Sequence, residues 1–453
     1  MKRLGLLFAI ICLVQLSTGC FVVGARSPGD LMKSPSLKND QQTIKAYIDE
    51  ELLSGETLYK PENPDGMSAI NFVDLDGDGS DEAVVYYKDG ASYRLGAYVF
   101  AGDGGEWSLV SKIESSGVDI SYSGFYDFTG NGDKEIVMAW SADKLDIMMN
   151  KYVSVYSYGE KIEELYHDSY TEMVVGDFYG NSDSEILLLN LDRNVSEPSS
   201  TGRLVAFSDG SFQVIDKINL DPYINGYYNV VSGPASADKE GIFIDMGIGA
   251  HSAATYLLVV EDGKIENVFS GDGSSFYSKT SKAYAVESMD INGDGIIEIG
   301  TYEEPYGNTF SMAETPWIIN WHQWDGKNGL DLVMKSYINA EKDLRVDFPD
   351  AWKKGVTVGY SGDGSKDLQI RYVDENAGAT YPVYNVRVIK DELLSERVEM
   401  FESEYFTAID KSGNAYVVEK IYLDQQIPSS IKREYAKKIL DDEEMKKIVK
   451  TWR

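Results

Sequence analysis

The residues best suited to chemistry form a nine-residue acidic stretch, Asp74-Leu75-Asp76-Gly77-Asp78-Gly79-Ser80-Asp81-Glu82. Acids stand at its positions 1, 3, 5 and 9, and glycines at 4 and 6. Hard cations such as calcium take oxygen ligands from carboxylates and backbone carbonyls. Alternating acids on a tight turn aim several carboxylates at one centre, and glycine lets the backbone turn where a Cβ would clash. Asp74, Asp76, Asp78 and Glu82 therefore read as side-chain ligands of calcium, with the Ser80 carbonyl as a fifth. An EF-hand needs helices on both sides of its loop. Here the flanks, residues 69–73 and 83–87, read as strands.

The pattern recurs. Asp290, Asn292, Asp294, Ile296 and Glu298 repeat the ligand positions, with Ile296 at the carbonyl position. Asp127, Thr129, Asn131, Asp133 and Glu135 form a weakened copy. Residues 177–185 are weaker still, because Tyr179 replaces the acid at position 3. A fifth place, residues 232–242, keeps the strand frame and a final acid, Glu240, but has lost the ligands. The starts at Asp74, Asp127, Asp177, Ser232 and Asp290 define a period of roughly 50 residues, as in arrays and propellers. Each unit reads as strand, acidic loop, strand, then two more strands, which is the plan of a propeller blade.

These units resemble FG-GAP/VCBS repeats, the calcium-loop blades of integrin-α-type β-propellers. The whole chain also resembles VCBS-repeat lipoproteins of Gram-positive anaerobes. The resemblance covers roughly residues 67–337. It implies a mainly β fold, a propeller of about five four-stranded blades, with structural calcium at the blade edges. It implies little about activity, since function lives in sites grafted on folds.

The N-terminus carries a second signal. Lys2 and Arg3 precede an apolar run to Leu16, then Ser17-Thr18-Gly19-Cys20. That order matches a basic n-region, an apolar h-region and a small-residue cleavage site. Residues 1–19 read as a lipoprotein signal and Cys20 as the lipidated residue, although Ser17 stands where a lipobox usually has an aliphatic side chain. The other cysteine, Cys12, lies inside the signal. Disulfides, zinc thiolates and cysteine nucleophiles are thereby excluded. Residues 20–40 read as a flexible tether, and residues 41–66 as a helix and lead-in. The helix rests on Ile44, Tyr47, Ile48 and Leu52, spaced along one face. Beyond residue 337 the repeat stops, and residues 338–453 read as a small α+β domain.

The 453-residue chain has a formal net charge of −32. Such a field argues against nucleic acid and against lying flat on anionic lipid. Catalytic motifs are missing from the sequence. The three histidines, His167, His251 and His322, form no His-Glu-x-x-His, and there is no Gly-x-Ser-x-Gly elbow and no P-loop. The Gly-x-Gly at 247–249 reads as a turn. Tyr122, Tyr126, Tyr223, Tyr227, Tyr228 and Tyr306 read as edge residues, some placed where they could stack on sugars or hold a partner.

Together these readings predict a bacterial lipoprotein held on the extracytoplasmic face through Cys20. Its expected work is binding a protein or a glycan at the envelope, without catalysis. A carbohydrate-active enzyme, of lyase or glycosidase type, is the alternative, and a structural role in envelope assembly is a third reading.

Overall fold

The computed structural model describes residues 39–51, 55–62, 67–103, 106–115, 117–141, 151–193, 195–269, 278–362, 366–390, 406–411, 414–421 and 427–452. The expected signal segment, Cys20 and most of the tether lie outside the described residues.

The strand Glu135–Ser141 shows how the sequence builds the fold. Its first six residues, Glu-Ile-Val-Met-Ala-Trp, are all buried. Side chains alternate between the two faces of a strand. Ile136, Met138 and Trp140 pack with Val84, Tyr86 and Val99 of the preceding sheet. Val137 and Ala139 pack with Ile186, Leu188 and Val205 of the following one. A strand apolar on both faces needs a sheet on each side, because either face left in water would forfeit its burial free energy.

This logic repeats along the chain. The described residues form six antiparallel sheets of four or five strands. The first runs from Glu56–Leu58 to Glu106–Glu114, the second from Asp119–Tyr126 to Glu163–Tyr170, and the third from Glu172–Gly176 to Ser211–Asn219. The fourth runs from Gly226–Ser236 to Lys264–Asn267 and the fifth from Ile299–Glu303 to Leu344–Phe348. The sixth begins at Val356–Tyr360 and includes Asn414–Lys420. Separate apolar clusters join the first sheet to the second, the second to the third, the third to the fourth, the fourth to the fifth, and the fifth to the sixth. The molecule is thus mainly β, built as consecutive antiparallel sheets.

The helix expected near residue 41 spans Asn39–Glu51. Ile44 and Ile48, one turn apart, are buried against Ala83, Val85, Tyr87, Tyr98 and Phe100. The helix thereby covers the face of the first sheet that points away from the second.

The structure departs from expectation at the C-terminal boundary. The expected break between residues 337 and 338 falls inside the strand Leu330–Asn339. Leu344–Phe348 pairs with that strand, and Val449–Lys450 pairs with Leu344–Phe348 in turn. One apolar cluster holds Ile318 and Tyr337 of the fifth sheet with Ile370, Tyr384 and Tyr416 of the sixth. The change of pattern after residue 337 marks the end of the acidic repeat, whereas the fifth sheet needs Leu344, Val346 and Phe348 to complete its buried face. Two short helices, Lys432–Ala436 and Asp442–Ile448, follow. The second is closed by a capping box between Asp441 and Glu444.

Candidate metal centres

Loop 74–82 joins Ile70–Val73 to Glu82–Asp89 in the first sheet, loops 127–135 and 177–185 join the first strand of their sheets to the second, and loop 290–298 precedes the first strand of the fifth sheet. The loops share one hydrogen-bond frame. The position-2 amide donates to the position-9 glutamate Oε2 in every copy: Leu75 to Glu82 at 2.9 Å, Phe128 to Glu135 at 2.9 Å, Phe178 to Glu185 at 2.8 Å and Ile291 to Glu298 at 2.9 Å. The position-6 amide donates to the position-1 aspartate Oδ2: Gly79 to Asp74 at 3.1 Å, Gly132 to Asp127 at 2.8 Å, Ser182 to Asp177 at 2.8 Å and Gly295 to Asp290 at 2.9 Å. Position 6 has a positive φ in all four, 90°, 93°, 78° and 88°. Glycine adopts that region freely, so Ser182 makes the third loop the strained copy.

The loops are also tied in sequence. Lys134 N donates to Leu75 O of the preceding loop at 2.7 Å, and Ser184 N to Asp127 O at 2.8 Å. Ile297 N donates to Pro234 O at 2.9 Å, linking the fifth loop to the fourth sheet. At the fourth place there is no loop. Gly226–Ser236 and Lys239–Gly247 pair through to Ser236 and Lys239, so a tight hairpin replaces it. Glu240 lies in that ladder, opposite Pro234.

The copies differ in what they gather. Among the described residues, two groups of three carboxylates bring ligand atoms within 4.8 Å of one another: Asp74, Asp76 and Asp78, and Asp290, Asp294 and Glu298. Ser80 and Ile296, at the carbonyl position, each donate an amide to the position-5 aspartate, which fixes the turn. In the first loop Asp74 Oδ1 is buried and has no hydrogen-bond partner. A bare carboxylate oxygen costs several kcal/mol in desolvation unless something cationic meets it, so the site suits a cation. In the second loop positions 3 and 5 hold uncharged residues, Thr129 and Asn131. Thr129 Oγ1 donates to Glu135 at 3.5 Å and Asn131 Nδ2 to Asp133 at 2.9 Å.

Glu82, Glu135, Glu185 and Glu298 are all buried. Burial, with neighbouring aspartates adding to it, pushes Glu82, Glu185 and Glu298 up to about 7. Burial raises Glu135 as well. In each copy Oε2 pins the loop through the position-2 amide, while Oε1 accepts from Thr129 in the second loop and from Asn292 in the fifth. The fifth loop has an added partner that the repeat does not encode. Gln323, on the strand Ile318–Trp324, donates to Asp294 Oδ2 and Glu298 Oε1, both at 2.8 Å.

Other sites lie away from the loops. Asp245 and Lys282 form a fully buried pair, Nζ to Oδ1 at 3.1 Å. Asp245 also accepts from Ser288 N at 2.6 Å, Ser288 Oγ at 2.9 Å and Asn229 Nδ2 at 2.8 Å, and from Thr255 Oγ1. Lys282 donates besides to Val286 O at 2.8 Å. Burial pushes the Lys282 ammonium down, against the pull of Asp245. The network stitches residues 280–288 onto the fourth sheet. Its one sequence signal was a carboxylate, Asp245, inside the otherwise apolar run Ile242-Phe243-Ile244-Asp245-Met246.

A cleft of about 510 Å³ lies where residues from the fourth, fifth and sixth sheets meet, and seven of its nineteen lining residues are aromatic. Of the six tyrosines singled out in the sequence, only Tyr228 lines it. Tyr122 and Tyr126 lie within the strand Asp119–Tyr126 and bond each other through their hydroxyls. Tyr227 packs on the third-to-fourth core, and Tyr223 is exposed. His251 sits on an exposed turn, and His322 bonds Thr301 Oγ1 at 3.0 Å within the fifth sheet.

No protein-family model matches the chain, and no curated protein matches it. Solved structures do align. A rhamnogalacturonan lyase of Bacillus licheniformis aligns at 13% identity over 72% of this chain and 74% of its own, with a TM-score of 0.31. The exotype rhamnogalacturonan lyase YesX aligns at 8% identity over 80% and 90%, with a TM-score of 0.27. BBS1N, solved in complex with ARL6DN, aligns at 10% identity over 82% and 95%, with a TM-score of 0.31. Superpositions this loose carry no argument about what this chain does.

Proposed function

We propose that the chain is a calcium-stabilised β-propeller-type module that binds a protein or glycan at the bacterial envelope, held there through lipid on Cys20. The observation that carries the metal reading is the pair of carboxylate triads on a common frame, one of them holding the unpartnered Asp74 oxygen. Loops 74–82 and 290–298 are the sites with enough charge to hold calcium, and loops 127–135 and 177–185 are weaker versions. Calcium here would neutralise clustered acids and lock each loop between its strands, which is a stabilising task. Binding would fall to the aromatic cleft, because large rigid rings give contact area at low entropic cost.

A purified cell-wall polysaccharide, passed over immobilised protein with and without chelator, tests this against the enzyme alternative. The proposal predicts retention without shortening of the polysaccharide, and a lower melting temperature in chelator. Calcium-dependent shortening, with new unsaturated or reducing ends, would replace the binding reading with the catalytic one.

A further inference from the structure

The cleft has a more specific geometry than a general aromatic surface. Tyr284, Tyr302 and Trp317 all line it. Their rings stand close to perpendicular, at 83° for Tyr284 and Tyr302, 69° for Tyr284 and Trp317, and 72° for Tyr302 and Trp317. Ring centroids are 6.2, 6.4 and 5.9 Å apart in the same order. The three rings pack edge to face on one another, and a cation seated in the cleft beside them comes within the roughly 6 Å reach of a cation–π contact.

The charge of the wall agrees. Glu287 and Glu341 line the cleft, and among the described residues no lysine or arginine does. The aromatic faces carry a negative quadrupole potential, so rings and carboxylates act on a ligand with the same sign. An acidic sugar would meet repulsion from both. A neutral pyranose stacks best on one flat face with hydrogen-bonding groups around its rim, and rings packed edge to face on one another offer no such flat slot. A compact, poorly hydrated cation suits the shape and the charge together.

We infer that this cleft binds a quaternary or methylated ammonium group, with Tyr284, Tyr302 and Trp317 as its walls and Glu287 and Glu341 as its counter-charges. The inference deepens the binding reading by naming the ligand chemistry, and it rests on that reading. The cleft is made by residues far apart in sequence, and one of them is tied to the fifth loop. Met289 lines the cleft and exchanges backbone hydrogen bonds with Glu298 at 3.1 and 2.9 Å.

Calorimetric titration of the full chain in calcium tests the inference, with choline as probe and 3,3-dimethylbutan-1-ol as its uncharged isostere. Saturable heat with choline, and binding of the isostere weaker by about tenfold or more, is the expected result. Trp317→Ala should weaken choline by about tenfold or more, while Tyr284→Phe, which keeps the ring, should leave it close to wild type. A melting scan of each variant shows that the fold is kept. Sedimentation with phosphatidylcholine vesicles assigns the source: pelleting that choline competes away makes a lipid headgroup the ligand, and no pelleting leaves the soluble group. Equal binding of isostere and choline, binding of glucose in place of choline, or no heat with either probe would overturn the inference. That failure would be distinct from failure of the wider reading, which the polysaccharide and melting results judge separately.

Discussion

Asp76→Ala separates a metal ligand from a structural side chain, because the two roles move stability in opposite directions. Asp76 is exposed, and the bond the structure gives it is from Asp78 N at 3.3 Å. Losing so long a bond at the surface costs about 0.5 kcal/mol or less. Against that, removing one carboxylate relieves the centre, since Asp76 is the foremost of the neighbouring charges acting on Glu82. In chelator the variant should therefore melt at or slightly above the wild type. In calcium the balance reverses. A site held at ten times its dissociation constant contributes about 1.4 kcal/mol by mass action. Two such triads give about 3 kcal/mol, and at the usual entropy per residue a unit of this size gains about 1–2 °C per kcal/mol. The wild type should rise by about 4 °C on adding calcium, and Asp76→Ala by about half that. Differential scanning calorimetry in millimolar calcium and in chelator measures all four values. If Asp76→Ala lowered the melt equally in both, the residue would be structural and the ligand assignment would fail.

Three further outcomes follow from the same geometry. Glu82, Glu185 and Glu298 hold folded pKa values near 7, above the unfolded value of about 4.3, so their protonated forms stabilise the metal-free fold below that lower value. This contribution is lost as pH rises through about 7, while metal binding gains as the ligands deprotonate. The calcium-minus-chelator difference in melting temperature should thus widen between about pH 5 and pH 8, and a difference flat across that window would contradict the assignment. Lys282→Met strands a fully buried carboxylate and should cost about 3–5 kcal/mol, with part recovered in Lys282→Met/Asp245→Leu; chemical denaturation that found Lys282→Met neutral would remove the network's structural role. Cys20→Ser should shift the protein from membrane to soluble fractions, since stable anchoring needs more than one acyl chain, and unchanged fractionation would refute lipidation there.

The acidic loops could be read from sequence because every feature they need is local. The turn requires glycine at fixed places, and Gly79, Gly132 and Gly295 have the positive φ that their spacing implies. The pinning role of the glutamates could not be read, because a carboxylate's partners depend on where the strand places it. Glu82 looked like one more ligand, yet its Oε2 is taken by Leu75 N, and the first triad is formed by Asp74, Asp76 and Asp78. Gln323 was invisible for a different reason. It reaches the fifth loop only because the strand Ile318–Trp324 pairs beside Ile299–Glu303. The strands of the sixth sheet fall within residues 338–453, read as α+β, but their shared core with the fifth sheet was hidden, because they carry no acidic loop and periodicity stopped while sheet-building continued. The cleft was the least legible element. Tyr228, one of the six tyrosines noted in the sequence, and Trp452 both line it from positions far apart in the chain, and no local pattern marks Trp452 as part of a site.

The central claim is that calcium sits in these loops according to the charge each one offers. A crystal structure determined in millimolar calcium, with anomalous scattering to identify the ion, tests it most directly. Strong density should appear within loops 74–82 and 290–298, weaker density in 127–135, the weakest in 177–185, and none at the fourth-sheet hairpin. Calcium in loop 177–185 with loop 74–82 empty, or no ion at either carboxylate triad, would contradict the account.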